Sequence, residues 1–216
     1  MKYAYKVSKY LLGTYELELQ DIVKRIVKNK FQLIINIGAG SGYYTVGLAR
    51  SIPSTKIVAF ETAEKSPLIF YNAHINHCQN QISFKGCCNI PTLQATMKEC
   101  TSDSCIIIDA EGAEKELLNP SLVPPLRNCF ILVELHDYVF RDIGRVIKSR
   151  FSESHNITEI IQRDRVLSDY PFRIPWIIQL VFKRYLVNLI NERRPERMRW
   201  WYLVPKAYTP QSKENV

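Results

Sequence analysis

Short apolar-rich runs alternate with stretches of helical periodicity along most of this chain. The apolar runs lie at residues 33–37, 56–60, 82–85, 105–108 and 130–133. The helical patterns lie at residues 43–51, 65–78 and 139–150. Nearly continuous apolar runs are typical of parallel strands that are buried on both faces. The alternation therefore predicts an α/β protein with a mostly parallel sheet.

Further segments flank this core on both sides. Residues 1–30 are predicted to form an N-terminal helical arm, because apolar side chains recur there at helical spacing. The members of this stripe are Leu19, Ile22, Val23, Ile26 and Val27. After a predicted strand at 157–162, residues 164–198 form an insertion that precedes a last strand at 199–204.

The insertion contains a helical pattern at 176–190 with a wide apolar face. A lid helix packed on its own domain is the favoured interpretation, and a membrane surface or a partner helix is the alternative. The charge-dense stretch 192–199 follows it. Its arginines either hold an anionic acceptor through forked hydrogen bonds or pair with the glutamates of the same loop.

A glycine-rich loop interrupts the pattern directly after the first apolar run. Gly38, Gly40 and Gly42 allow positive φ angles and close approach of a ligand to the backbone. The dinucleotide fingerprint G-x-G-x-x-G does not fit, because Tyr43 or Thr45 occupies its third glycine position. A phosphate loop is excluded as well, since no lysine follows the second glycine at the required spacing.

An acidic residue, Glu61, follows the second apolar run. A carboxylate at that place can accept hydrogen bonds from both hydroxyls of a ribose. Open α/β sheets bind ligands at the carboxyl ends of their strands, so the residues at these ends are expected to line one crevice. They are Gly38–Gly42, Glu61, Asn89, Asp109, Glu134 and His136.

These stretches resemble the class I S-adenosylmethionine-dependent methyltransferases. The resemblance is carried by INIGAGSGYYTVGLA and IVAFE, and it covers residues 31–137, the predicted cofactor-binding core. IIIDAEGAEKELL at 106–118 and ILVELHD at 131–137 are similar to the FkbM-type branch. The resemblance implies a Rossmann-like, seven-stranded, mostly parallel sheet of order 3-2-1-4-5-7-6. The last strand would be antiparallel, and helices would cover both faces.

The resemblance also implies a set of cofactor-binding residues for S-adenosylmethionine. They are Asn36, Gly38, Ala39, Gly40, Ser41, Gly42, Tyr43, Glu61, Thr62, Cys88, Asn89 and Asp109. Two departures stand out, because Asn36 replaces an acid before the first glycine and Cys88-Asn89 replace an acid near the adenine. The segment before the first strand often closes over the cofactor in such enzymes, which would bring Tyr15 and Glu16 to the site. The alternative is that Tyr15 only packs.

Methyl transfer to a hydroxyl is helped by a base that removes the proton. Asp109, Glu134 and His136 are the predicted catalytic residues, and Glu111 is a further candidate base. His136 has an imidazole suited to proton transfer near neutral pH, although a structural hydrogen bond would explain it equally well. The three catalytic residues also have the chemistry of a magnesium or manganese site, but no metal is included in the prediction.

The composition fits one globular domain over residues 1–216, with 46% hydrophobic and 23% charged residues. No run approaches the roughly 18 apolar residues of a membrane span, and the N-terminus lacks the pattern of a secretory signal. The six cysteines show no C-x-x-C spacing. They are interpreted as reduced thiols of a cytoplasmic protein.

The net charge of +8 permits nucleic acid, anionic membranes or acidic substrates as partners without requiring any of them. The function predicted from the resemblance is O-methylation of a small hydroxylated or sugar-bearing acceptor. An RNA methyltransferase and a non-catalytic methyltransferase-like binding protein are the alternatives. The predicted partner is a small-molecule acceptor, and nucleic acid and a homodimer stay open.

Overall fold

The computed structural model describes residues 4–98, 100–101, 103–194 and 196–209. The strands are β1 Leu33–Ile37, β2 Lys56–Phe60, β3 Ile82–Lys85, β4 Ser104–Ile108, β5 Phe130–Leu135, β6 His155–Ile161 and β7 Arg199–Pro205. The helices are α1 Ala4–Leu11, α2 Gln20–Asn29, α3 Tyr43–Ser51, α4 Ser66–Ile75, α5 Ile90–Met97, α6 Glu114–Leu117, α7 Ile143–Phe151 and α8 Trp176–Ile190.

The seven strands form one sheet in the order β3-β2-β1-β4-β5-β7-β6. Strand β7 runs antiparallel to both of its neighbours, and the other strand pairs are parallel. The central strands β1, β4 and β5 are buried along their whole length. Their mostly apolar sequence follows from this, because helices cover both of their faces. The predicted fold class, strand order and orientation are confirmed.

Successive side chains of β1 pack in two hydrophobic cores, one on each face of the sheet. Ile34 packs with α2, α3 and the aromatic residues of β7 on one face of the sheet. Ile35 packs with α5, α7 and the segment around Leu118 on the other face. The predicted stripe of the arm is confirmed, since Leu19, Ile22 and Ile26 are buried in the first core with Val23 and Val27 packed against them.

Several element boundaries differ from the prediction, and three of the differences have a clear physical reason. Strand β5 continues to Leu135, because it pairs with β7 up to Arg199. Helix α7 begins at Ile143 and not at 139, because the backbone carbonyl of His136 accepts the N–H groups of Val139 and Phe140 and closes a turn there. Helix α4 ends at Ile75, followed by His77 with a φ of 54°.

Helix α8 packs on its own domain only near its C-terminal end, where Ile190 is buried. Most of its other apolar side chains are exposed, and a lid role for residues 164–198 stays a prediction. Among the described residues, no helix has the length and apolarity that crossing a membrane requires.

Candidate active site

The glycine loop lies between the ends of β1, β2 and β4. Gly38 has a φ of 77°, and its backbone N–H donates to the Phe60 carbonyl at 3.0 Å. A Cβ at Gly38 would lie 1.7 Å from the Asp109 carbonyl oxygen. A Cβ at Gly40, where φ is 57°, would meet nothing within 4 Å. Packing therefore requires glycine at position 38, whereas position 40 borders open space.

Gly38→Ala is expected to lower the free energy of unfolding by about 3 kcal/mol, because the methyl group collides with backbone and the positive φ is strained. Gly47→Ala, inside α3, is the matched control. It has open space around its Cβ and an ordinary φ, so it should raise stability by about 0.5–1 kcal/mol. Urea denaturation of both variants checks this, and an unchanged stability of Gly38→Ala would contradict the close approach.

The carboxylate of Glu61 is fixed against this loop. One oxygen accepts the backbone N–H of Gly40 at 2.6 Å, and the other accepts that of Thr62 at 2.7 Å. The residue is only 8% exposed. Each carboxylate oxygen has a second lone pair, so the group can still accept two hydroxyl donors from a ligand that enters beside Gly40.

The remaining predicted loop residues have structural contacts of their own. Asn36 is buried, and its side-chain amide donates to the Thr45 hydroxyl at 2.8 Å, which ties β1 to α3. The Ser41 carbonyl accepts the Asn72 amide at 2.8 Å, which ties the loop to α4. Ala39 is buried in the first core. Cofactor contact of these residues stays a prediction.

The predicted adenine contacts at Cys88 and Asn89 lie before α5. The Asn89 side-chain oxygen accepts the Thr92 backbone N–H at 2.9 Å, and the Asn89 backbone N–H donates to the Thr92 hydroxyl. This reciprocal capping box starts the helix, so the amide oxygen of Asn89 is already engaged. Burial raises the pKa of the Cys88 thiol to about 12, which keeps it protonated at neutral pH.

The segment D-A-E-G-A-E after β4 folds around a single buried carboxylate. Glu111 and Gly112 have φ angles of 51° and 107° and turn the chain back on itself. The two carboxylate oxygens of Glu114 accept the backbone N–H groups of Ala110 at 2.5 Å and Gly112 at 2.9 Å. Glu114 is not among the predicted site residues. The D-x-E-G-x-E spacing is the signal that predicts such a turn.

His136 is buried directly behind this turn. Its Nδ1 atom lies 3.0 Å from Glu114 Oε1, a close contact outside the angles of a regular hydrogen bond. Its Nε2 atom points the other way, 3.4 Å from Asp109 Oδ1 and 3.6 Å from Glu111 Oε2. Tyr138 covers this side, with its ring 5.5 Å from the imidazole and its hydroxyl donating to Glu111 at 2.9 Å.

The charges around His136 act on its pKa in opposite directions. Burial alone would lower the pKa, but contact with Glu114 and the nearby Asp109 and Glu134 raise it above the ordinary value of histidine. Nδ1 lies against the buried Glu114 carboxylate, and Nε2 lies near Asp109 and Glu111. A carboxylate beside one ring nitrogen can orient an imidazole whose other nitrogen acts as a general base.

Glu134 lies inside β5, in a cluster of buried ion pairs. Its carboxylate accepts hydrogen bonds from Arg194 at 2.5 Å and from the Trp200 indole at 3.0 Å. Arg194 also donates to Glu16 and Glu192. The arginines of stretch 192–199 were predicted either to hold an anionic acceptor or to pair with glutamates of the same loop. Pairing is confirmed for Arg194, which contacts Glu192 of its own loop. Glu16 and Glu134 are additional partners outside the loop.

The arm approaches the glycine loop through this cluster. Glu16 accepts the hydroxyl of Tyr44 at the start of α3, and its backbone N–H donates to Glu192 at 3.0 Å. The Tyr15 ring lies 5.1 Å from that of Tyr43. Tyr15 and Glu16 thus contact the first residues of α3, directly after the loop, and their closure over the cofactor stays a prediction. Arg194 is the residue that sequence reasoning did not single out.

Two buried acids, Glu16 and Glu134, and the partly exposed Asp109 lie beside the loop. Burial, followed by the charge of Glu16, raises the pKa of Asp109 to about 6. Burial, followed by the charge of Asp109, raises the pKa of Glu134 to about 8 despite Arg194. Burial raises the pKa of Glu16 as well. This corner of the crevice therefore favours a positively charged ligand.

One group of described residues has the spacing of a metal site. Asp109, Glu114 and His136 each offer an atom within 4.8 Å of the others. Glu134, part of the set considered from the sequence, is instead engaged by Arg194 and Trp200. Because both Glu114 oxygens already accept backbone N–H groups, the group fits a hydrogen-bonded turn with an attached imidazole better than a metal shell.

The structure brings five of the predicted site residues into a connected set. Gly40 contacts Glu61, Gly38 lies against Asp109, and Asp109 faces His136. Asn89 is joined to α5 instead, and Glu134 to the ion-pair cluster.

Comparison with known proteins supports the same fold. No protein-family model and no curated protein matches this chain. Among solved structures, cofactor-bound Rv0187 from MTB matches with a TM-score of 0.58 and 12% identity, covering 88% of this chain and 80% of that one. The O-methyltransferase from Bacillus cereus in complex with SAH matches with a TM-score of 0.54 and 13% identity, covering 92% and 90%.

A third match is the O-methyltransferase TomG from Streptomyces achromogenes in complex with SAM. Its TM-score is 0.53 at 11% identity, and the match covers 85% of this chain and 77% of that one. At identities this low the likeness concerns the fold. The chain thus has the Rossmann-like fold that these methyltransferases share.

Proposed function

We propose that this protein is an S-adenosylmethionine-dependent O-methyltransferase that acts on a small hydroxylated or sugar-bearing acceptor. The observation that carries the proposal is the placement of the Glu61 carboxylate on Gly40, beside open space at the carboxyl end of the sheet. The fold likeness to SAM- and SAH-bound O-methyltransferases supports it. We further infer membership of the FkbM-like branch from the turn at 109–114 and the strand end at 134–136.

The crevice offers groups that match the polar parts of this cofactor. Glu61 would hold the ribose hydroxyls, and the backbone at Gly40 leaves room for the chain that joins ribose to methionine. S-adenosylmethionine supplies an electrophilic methyl group on a positively charged sulfonium. The surplus of acids at Glu16, Asp109 and Glu134 would stabilise positive charge there.

The acceptor hydroxyl would be deprotonated by His136. Its Nε2 atom lies behind Glu111 and Tyr138, both of which are exposed and would move aside when an acceptor enters. Glu114 would act as a positioning residue that holds the ring through Nδ1 and stabilises its protonated form. Asp109, 3.4 Å from Nε2, would orient the acceptor hydroxyl.

Calorimetric titration with S-adenosylmethionine tests the proposal. Binding is expected, and it should tighten as pH rises from about 6 to about 8, because Asp109 and Glu134 ionise in this range and attract the sulfonium. S-adenosylhomocysteine lacks the sulfonium charge, so its affinity should depend less on pH.

Gly40→Asp should abolish this binding, because its side chain enters the open space next to Glu61. The same change at Gly13 is the matched control, since Gly13 has a similar φ of 65° and equally open surroundings. The proposal is contradicted if the wild-type protein binds no S-adenosylmethionine, or if Gly40→Asp binds it as well as Gly13→Asp does.

A further inference from the structure

The first half of α8 and the segment before it expose many large apolar side chains. The exposed fraction reaches 72% for Trp176 and 76% for Leu180. The exposed residues of this surface, called here the α8 face, are Phe172, Trp176, Ile177, Ile178, Leu180, Val181, Phe182 and Tyr185. Single exposed apolar residues are common, but eight within fourteen residues indicate an interaction surface.

The other end of α8 is held by the domain. Tyr170 donates its hydroxyl to the Leu186 carbonyl at 2.8 Å, and Ser8 of α1 donates to the Leu189 carbonyl. At Phe182 the backbone leaves helical geometry, with a φ of −115° and a ψ of 16°. The kink separates the anchored half from the exposed half, so the domain presents the α8 face outward instead of covering it.

The charges on and around this face have one sign. Between residues 170 and 191 the chain has Arg173, Lys183 and Arg184 and no acidic residue. A partner for this surface must therefore cover apolar side chains and supply negative charge at the same time.

We propose that the α8 face docks this protein on the surface of membranes that contain anionic phospholipids. Acyl chains would cover the apolar side chains, and lipid phosphates would neutralise the basic ones. A helix of 15 residues is about 22 Å long, too short for a hydrocarbon core of about 30 Å, so it lies in the interface. Trp176 and Tyr185 are residue types that favour this depth.

The charges also disfavour a second copy of the chain on this face. Two copies would bring Arg173, Lys183 and Arg184 of each face together without an acidic counterpart, which is repulsive. Nucleic acid would match the charge but would leave Trp176 and Leu180 exposed to water. An anionic bilayer satisfies both properties.

Co-sedimentation with vesicles tests the docking. The full chain should sediment with vesicles of equal parts phosphatidylcholine and phosphatidylserine and remain in the supernatant with phosphatidylcholine alone. Leu180→Glu should lower the partition coefficient about tenfold or more, since it removes buried apolar area and adds negative charge. Lys183→Ala with Arg184→Ala should lower it about fivefold for each charge removed.

The control is Leu122→Glu, which makes the same change at an exposed leucine far along the chain in the loop after α6. It should partition like the wild type. Equal sedimentation with neutral and anionic vesicles, or identical partition of Leu180→Glu and Leu122→Glu, would overturn the proposal. Absence of vesicle binding together with a dimer that Leu180→Glu dissociates would overturn it in favour of self-association.

The tryptophans provide a reporter within the same experiment. Of the three in the chain, Trp200 and Trp201 are buried and Trp176 is exposed. Anionic vesicles should shift the fluorescence emission to the blue, and Trp176→Phe should abolish the shift while sedimentation persists. A blue shift that persists in Trp176→Phe would place the contact elsewhere on the protein and overturn the assignment.

Discussion

Replacing Arg194 with alanine is expected to lower the free energy of unfolding by about 3–5 kcal/mol. The guanidinium pairs with Glu16 from the arm, Glu134 from β5 and Glu192 from its own loop. All three acids are buried. Removal of Arg194 would leave Glu16 and Glu134 without their ion-pair partner, while Glu192 keeps its pair with Arg165. Burying carboxylates without a counter-charge is a larger effect than the loss of the hydrogen bonds themselves.

The destabilisation caused by Arg194→Ala should increase with pH. The pKa of Glu134 is raised by burial to about 8, so its protonated form favours the folded state and this contribution is lost as pH rises toward 8. Without Arg194 the carboxylates of Glu16 and Glu134 become still harder to ionise. The destabilisation should therefore be smaller near pH 5, where protonated carboxyl groups need no cation, than near pH 8.

Arg197→Ala is the matched control for this measurement. Arg197 is exposed and lies 3.9 Å from Asp164, which is exposed as well, so its removal should change stability by less than about 0.5 kcal/mol. Guanidinium denaturation of both variants at the two pH values gives the comparison. Equal losses for Arg194→Ala and Arg197→Ala would show that the buried cluster contributes nothing to stability.

The sheet could be predicted from the sequence because its signals are local. The apolar runs of β1, β4 and β5 are buried on both faces and contain almost no polar residue before their ends. The strand order came from the resemblance and not from the pattern. Helix α8 shows what hydrophobic periodicity cannot predict. Its apolar face indicates a helix with a packing partner, but the sequence pattern does not say whether that partner is the domain itself or another surface.

The site was predictable where residues adjoin strand ends and unpredictable where distant segments meet. Gly40 and Glu61 follow β1 and β2, and topology alone brings them together. Arg194 meets Glu16 across 178 positions of the chain, and no spacing rule connects them. Asn89 was predicted from the resemblance as an adenine contact, and the capping of α5 by its side chain was not predictable from its place in a loop.

Replacing His136 with alanine is expected to lower kcat by about 10²–10⁴-fold if the imidazole is the general base of the proposed reaction. The measurement is transfer of a labelled methyl group from saturating S-adenosylmethionine to an acceptor found in a panel of hydroxylated compounds and sugars. His74→Ala is the control, because His74 is exposed on α4 and should leave kcat unchanged. Similar rates for the two variants would remove His136 from the mechanism.

Glu114→Gln separates positioning from chemistry. The neutral base is the active form, so kcat should rise with pH through the pKa of His136, which Glu114, Asp109 and Glu134 hold above its ordinary value. Loss of the Glu114 charge should lower this pKa and move the rise of kcat to lower pH, while the plateau rate falls because the ring is held less firmly. NMR titration of the imidazole provides the same pKa without an acceptor. The opposite result would be a lower kcat with an unchanged imidazole pKa and an unchanged pH profile. It would show that Glu114 stabilises the turn at 109–114 and does not act through His136.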